Sequence, residues 1–419
     1  MNVMKRIFLK GFFPILTIFI LCVPMATVAL TRPFEISGWI PYWRIATGTA
    51  DTLAHLETFT EVNPFGYTVR TDGTLYDAAK LTPQVAATTT STGTANVIVP
   101  SPWQPLIDEA HAKKIRVIPT VMWSNGDAIH ATLKNTKARR ALEDEIANAV
   151  KANNFDGIDI DFEGKKYETR NYFSTFLKGL YQRLGNKWLM CTIEARTPLP
   201  DRYYGVTAPR DAGKYANDLS AINKYCDRVR IMAYDQQSED LKLAAQNEGT
   251  LYAPVADPVW VEKTMKLIAK SVSKKKLVLG VPTYGYEYDV TAYADGYTYG
   301  LLWSFNPGYA IQISQQYGVA PGRGGGGEAA LSYVPTSTQI TIPQVDATSA
   351  PTLTSSETAA AALALASSTN THSSFRYLSW SDWQAIADKV ALAKRLGLRG
   401  VAIFKIDGGE DPNIWNVLK

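Results

Sequence analysis

Four acids fall within eight positions of the stretch "FDGIDIDFEG": Asp156, Asp159, Asp161 and Glu163. Like charges this close repel, and burying even one carboxylate is costly. Two chemistries use such a cluster: a calcium loop, or carboxylates arranged for acid–base catalysis. A calcium loop wants acids at positions 1, 3 and 5, glycine at 6 and glutamate at 12. Asp159, Asp161, Glu163 and Gly164 fit the first half, but position 12 is Arg170. Ile160 and Phe162 also stand where the loop should be polar. Read as a β-strand, the stretch sorts cleanly. Asp159, Asp161 and Glu163 share one face; Ile158, Ile160 and Phe162 share the other. Carboxylates in one column cannot all ionise cheaply, so at least one proton is shared among them. The outermost, Glu163, is the acid best placed to be held protonated near neutral pH and to donate to a leaving group.

The elements that must position this strand follow from the pattern along the chain. Short apolar runs occur at Phe34–Trp43, Val62–Val69, Ile115–Trp123, 155–163, 188–195, 227–235, 276–285 and Leu398–Ile406. Most are separated by stretches with apolar spacing of three and four, the longest over 130–154. No clear helical pattern separates the first two runs. Eight β-runs with helical crossovers predict an α/β chain folded as a (β/α)₈ TIM barrel. In that fold the apolar face of each strand packs under helices. The acids then point into the barrel, with Glu163 at the C-terminal mouth. Residues 286–374 break the rhythm with clustered tyrosines, a helical pattern near 307–318, then Gly-rich and Pro/Ser/Thr/Ala-rich tracts. They are expected to form an insertion between the seventh strand and the last helix, folded at its start and a mobile loop to residue 374.

Bulk properties narrow the class. Lys5, Arg6 and Lys10 precede an apolar, uncharged run over 11–30, broken by Pro24. This reads as a signal peptide, residues 1–29, cut near Ala29, which leaves 30–419 as the mature chain; an uncleaved anchor is the alternative. Secretion or a cell-envelope location is expected. Removing 1–29 takes three basic residues and no acid from the formal +4, leaving about +1. Nothing in that balance suggests nucleic acid or a stable membrane partner. Four scattered histidines show no metal-ligand spacing, so neither a metal nor a cofactor is expected. Of the three cysteines, Cys191 and Cys226 remain in the mature chain. Two buried thiols is the preferred reading and a bridge between them the alternative.

The motif "DGIDIDFE" resembles the D-x-x-D-x-D-x-E signature of glycoside hydrolase family 18, the chitinase-like enzymes, at Asp156, Asp159, Asp161 and Glu163. "RIMAYD" resembles that family's M-x-Y-D, giving Met232, Tyr234 and Asp235; "LVLGVPTYG" and "LRGVAIFKIDGGEDPNIW" resemble its last strands, especially in bacterial wall- and spore-associated members. The resemblance implies a retaining, substrate-assisted glycosidase, one of the exceptions to the two-carboxylate scheme. It implies Glu163 as general acid and later base, Asp161 orienting the substrate's acetamido group, Asp159 buffering Asp161, and Tyr234 bonding the acetamido carbonyl. Asp235, with Asp156 and Met232, would serve substrate binding. The expected substrate is a β-linked N-acetylglucosamine polysaccharide, chitin or peptidoglycan, met by a monomer. One departure stands out: Phe404 occupies the position where the family usually has the Trp under the distorted sugar. Further candidates for glycan contact are Trp39, Tyr42, Trp43, Phe65, Tyr67 and Trp123, of which Trp43 and Trp123 are best placed. Glu194 and Arg196 have inward-compatible parity, as substrate ligands or as an ion pair. A silent sugar-binding (lectin-like) protein on the same fold is the rival reading.

Overall fold

The computed structural model describes residues 33–90, 93–335 and 355–418. The expected signal peptide and the tract 336–354 lie outside the described residues. Eight parallel strands close on themselves. They are β1 (Glu35–Pro41), β2 (Glu61–Val69), β3 (Thr120–Trp123), β4 (Gly157–Phe162), β5 (Trp188–Glu194), β6 (Arg228–Met232), β7 (Leu277–Pro282) and, after an insertion, β12 (Gly400–Phe404). β12 pairs with both β7 and β1, and β1 with β2, which completes the (β/α)₈ barrel. A helix, α1 (Ile45–Ala54), does separate the first two strands; its weak apolar pattern hid it in the sequence.

Local chemistry places the acidic strand. Helix α2 (Thr136–Ala152) begins at Asn135, whose side chain accepts the backbone N–H groups of Lys137 and Ala138. It delivers the chain to β4, which is buried along its whole length. Gly157 lies so close to β5 that a Cβ there would sit 2.3 Å from the Trp188 carbonyl oxygen. Behind β4, Phe162 packs on Phe176 and Phe173 of α3 (Arg170–Leu184). The Ile158/Ile160/Phe162 face thus joins the large apolar shell under the helices. Glycine also ends the strand: Gly164 adopts φ +62°, turning the chain just past Glu163.

The insertion departs from expectation. It is a five-stranded antiparallel sheet built on β8 (Gly285–Tyr293), β9 (Gly296–Phe305), β10 (Ala329–Tyr333) and β11 (Ser373–Trp380). Helix α6 (Pro307–Tyr317) packs with Phe305, Leu331 and Leu378. Helix α7 (Ser355–Thr369) packs its alanines with Val290 and Phe375. Residues 355–374, read as loop from their Ala/Ser/Thr content, are therefore helix and strand. A run of small residues looks like low complexity but makes a flat helix face that fits a sheet closely. A buried carboxylate is one of the ties between insertion and barrel. Glu328, fully buried after the glycine run, accepts the N–H groups of Val255 and Ala256, the Ser381 hydroxyl and Nζ of Lys389 on α8 (Trp383–Leu396). Two antiparallel strands, Gln84–Thr90 and Gly93–Val99, which the pattern did not announce, also lie in the chain between β2 and β3.

Cys191 and Cys226 are bridged, with Cα atoms 5.9 Å apart, rather than two free thiols. Cys191 lies on β5, and Cys226 ends α4 (Leu219–Tyr225), the helix that precedes the neighbouring strand β6. The bond closes a separation of 35 residues. On loop-closure grounds it contributes about 3–4 kcal/mol. Urea unfolding of Cys191→Ala/Cys226→Ala should show a loss of that size. Stability within about 1 kcal/mol of wild type would mean the bridge constrains little.

Candidate active site

Strand parity turns Asp159 and Asp161 into the barrel, where Asp159 is fully buried among donors. Its oxygens accept Trp39 Nε1 at 3.1 Å, Thr120 Oγ1 at 3.1 Å, Thr192 Oγ1 at 2.9 Å and Arg230 Nη1 at 3.0 Å. Arg230 was missed in the sequence. Fully buried on β6, it also reaches Glu61 at 3.0 Å and Asn63 at 2.7 Å, and lies 4.8 Å from the Trp39 ring centre. The signal existed: in "RVRIMAY", Arg230, Met232 and Tyr234 alternate, so a cation shares the inward face with two residues already singled out.

One step up the column, Asp161 is buried and its Oδ1 has no hydrogen-bond partner among the described residues. Burial first, then the charges of Glu163 and Asp159, hold its proton far more tightly than an ordinary aspartate does. Glu163 is half-buried at the mouth. Burial, the charge of Glu194 and that of Asp235 raise its proton affinity, while Lys165 and a hydrogen bond with Asp161 oppose the rise. Facing these acids, Tyr234 stacks on Phe404 with ring centres 5.6 Å apart and planes at 16°. Phe404 also meets Trp39, Phe65 and Tyr284 edge-on, forming an aromatic floor. Burial, then the nearby Asp161 charge, keeps the Tyr234 hydroxyl protonated far above its usual range. Asp235, at φ +59°, accepts hydroxyls from Tyr284 at 2.5 Å and Tyr286 at 2.7 Å. Both tyrosines lie where β7 passes into the insertion; sequence reasoning placed Tyr284 only within the seventh run and Tyr286 only in a tyrosine cluster.

Other predicted residues fall elsewhere. Asp156 is at the opposite end of β4, accepting the Val117 N–H at 2.9 Å and pairing with His111 at 3.1 Å. It anchors the N-terminal end of the strand and is remote from the mouth. Trp123 is 3% exposed and packs edge-on against Phe162 under the helices. The run "IRVIPTVMW" is apolar on both faces, so parity could not be phased from it. Tyr67 is also 3% exposed. A bulge between Phe65 and Tyr67 aligns Tyr67 with Val121 and turns it into the apolar shell with Ala79 and Leu81. Trp43, by contrast, is 52% exposed and leans edge-on against Phe65, beside the aromatic floor. Met232 lies beside Glu194 across the β5–β6 pair. Glu194 accepts the Gly164 N–H at 3.2 Å and Asn217 Nδ2 at 3.0 Å. Arg196 does not pair with it; its guanidinium donates to the Ala212 carbonyl and covers the Tyr215 ring. Among the described residues no group of three His, Cys, Asp or Glu side chains could hold a metal ion.

A carboxyl with a raised folded pKa stabilises the fold while protonated, and that contribution fades as pH rises through the folded value. Wild type should therefore lose stability from about pH 4 upward on account of Asp161. Asp161→Asn should flatten that slope, its melting temperature gaining on wild type between pH 4 and 8. Parallel melting-temperature curves for the two proteins would contradict the assignment of the cost to Asp161.

The architecture and the site can be set against known proteins. The family model "Glycosyl hydrolases family 18" matches residues 66–409. The curated relative "Uncharacterized glycosylase YvbX" of Bacillus subtilis is 26% identical over 168 residues, 40% of this chain and 44% of the relative. The matched stretch thus spans less than half of that relative's length. Among solved structures, a chitinase from Chromobacterium violaceum superposes with a TM-score of 0.63 at 19% identity, covering 92% of this chain and 98% of that one. The Bacillus cereus spore cortex-lytic enzyme SleL does so with a TM-score of 0.63 at 16% identity, over 92% and 74%. At such identities the structural likeness speaks for the fold alone. The family model covers most of the chain and includes the acidic strand, and on that match the chain belongs to glycosyl hydrolases family 18.

Proposed function

We propose that the chain is an exported glycosidase that cleaves β-linked N-acetylglucosamine glycans, chitin or peptidoglycan, with retention at the anomeric carbon. The observation that carries this reading is the carboxyl column itself: Glu163 at the mouth with a raised proton affinity, Asp161 buried beneath it with an oxygen unpartnered, and the Phe404–Tyr234 floor beside both.

Glu163 donates its proton to the glycosidic oxygen, and the leaving sugar departs as an alcohol. The substrate's own acetamido oxygen attacks the anomeric carbon and forms an oxazolinium ring. Asp161 accepts the acetamido N–H with its Oδ1, which has no partner among the described residues. Asp159, anchored by Arg230, Trp39 and two threonines, is fixed below it. The Tyr234 hydroxyl donates to the acetamido oxygen. Glu163, now ionised, takes a proton from a water that attacks the anomeric carbon from the face the leaving sugar vacated; the bond from that carbon to the acetamido oxygen breaks, and the acetamide is restored. Phe404 offers a smaller ring than Trp for stacking a sugar. Export is supported by the N-terminal apolar run and by the Cys191–Cys226 bridge, a bond that persists in oxidising compartments.

Glu163→Gln should lower turnover of N-acetylglucosamine oligomers and of peptidoglycan about 10²–10⁴-fold without loss of binding. Proton NMR of the first product should show the β-anomer. Because the donating form is the protonated one and its pKa is raised, activity should persist above the ordinary glutamate range and decline on the alkaline side. A wild type that binds both polymers but turns over neither would instead establish a sugar-binding protein. Mass spectrometry of protein recovered from culture medium should give an N-terminus near residue 30. Finding only chain that starts at Met1 and is shielded from protease added to intact cells would overturn export.

A further inference from the structure

Behind the Glu163 turn sits a cation the mechanism does not use. The Lys165 side chain is 0% exposed, an unusual place for a lysine. Its Nζ donates to the Phe162 carbonyl, stands 3.8 Å from Glu194 Oε1 and lies 4.8 Å from the Phe173 ring centre. Glu194 Oε1 in turn accepts the Gly164 N–H, and its Oε2 is held by Asn217. Lys165 and Glu194 therefore hold the backbone on both sides of Glu163, at Phe162 and at Gly164. They also set the local charge balance. Asp159 is already met by Arg230; Asp161, Glu163 and Glu194 each interact with Lys165, and Asp235 adds its charge at Glu163.

We propose that Lys165 and Glu194 are positioning residues that fix the Glu163 turn and, by opposite charges, set the pH at which Glu163 releases its proton. The proposal rests on Glu163 being the general acid. Lys165, wholly buried, favours the ionised Glu163. Glu194, at the C-terminal end of β5, disfavours it. Burial loosens the proton on Lys165, while Glu194, Asp161 and Glu163 retain it.

The test uses the full chain with Lys165→Met, Glu194→Gln and the double variant. The readouts are the alkaline limb of kcat/KM on an N-acetylglucosamine oligomer and, without substrate, the carbon-13 carboxyl titration of Glu163, assigned by its loss in Glu163→Gln. Lys165→Met should move both readouts to higher pH by about half a unit or more, and Glu194→Gln should move them lower. The double variant should return near wild type. A lysine that merely packs would lower stability or turnover and leave the limb in place. Shifts of the same sign in both single variants, or none in the carboxyl titration, would overturn the proposal. If Lys165→Met does not fold, Glu194→Gln alone decides, since its shift must be downward. Undiminished activity in Glu163→Gln would remove the general-acid reading, while the carboxyl titration would still report the charge coupling.

Discussion

A barrel that carries Glu61, Asp159 and Asp161 inside it needs a cation inside as well, and Arg230 is that cation. Its planar fork bonds Asp159 and Glu61 at once, and its face covers Trp39. A lone buried carboxylate costs several kcal/mol, and an ion pair recovers that only when its hydrogen bonds are well made. Asp159 has four donors around it. That concentration of partners at the base of the column lets the next acid, Asp161, be left short of one. The contrast between a saturated carboxylate and an unsaturated one a single step above it gives the site its direction.

The acidic strand was legible because its two faces differ in kind: acids on one, isoleucine and phenylalanine on the other. Period two then fixes which way each side chain points. Where a strand is apolar on both faces, as at Ile115–Trp123, the period carries no phase, and Trp123 could be placed only by the structure. Tyr67 escaped for a different reason. One bulged residue reverses parity, and nothing in "NPFGYTV" beyond a glycine marks the reversal. Asp156 belonged to the motif, yet a motif records spacing along the chain. Here its first acid lies at the far end of the strand from its last.

Residues that act across long sequence distances were the least legible. The Cys191–Cys226 bridge depends on α4 returning beside β5, and Arg230 reaches Glu61 across 169 positions. Glu328 follows a glycine-rich tract that reads as part of a mobile loop. Buried against two backbone amides, a hydroxyl and Lys389, it is the clasp between sheet and barrel. Compositional reasoning treats such a tract by its average and cannot see one charged residue within it that has a fixed partner.

The two hydroxyls on Asp235 have a bearing on how this fold can be altered. Tyr284 closes the seventh strand's turn and Tyr286 opens the sheet that follows, so the same carboxylate is held from barrel and insertion together. The insertion is therefore not an independent module resting on a finished catalytic scaffold. Lineages that exchanged it wholesale would inherit a different grip on Asp235, so the insertion and the chemistry beside it are free to diverge only together. Shuffling at the sheet's far edge leaves that linkage intact, which makes the distal strands the freer ground for variation.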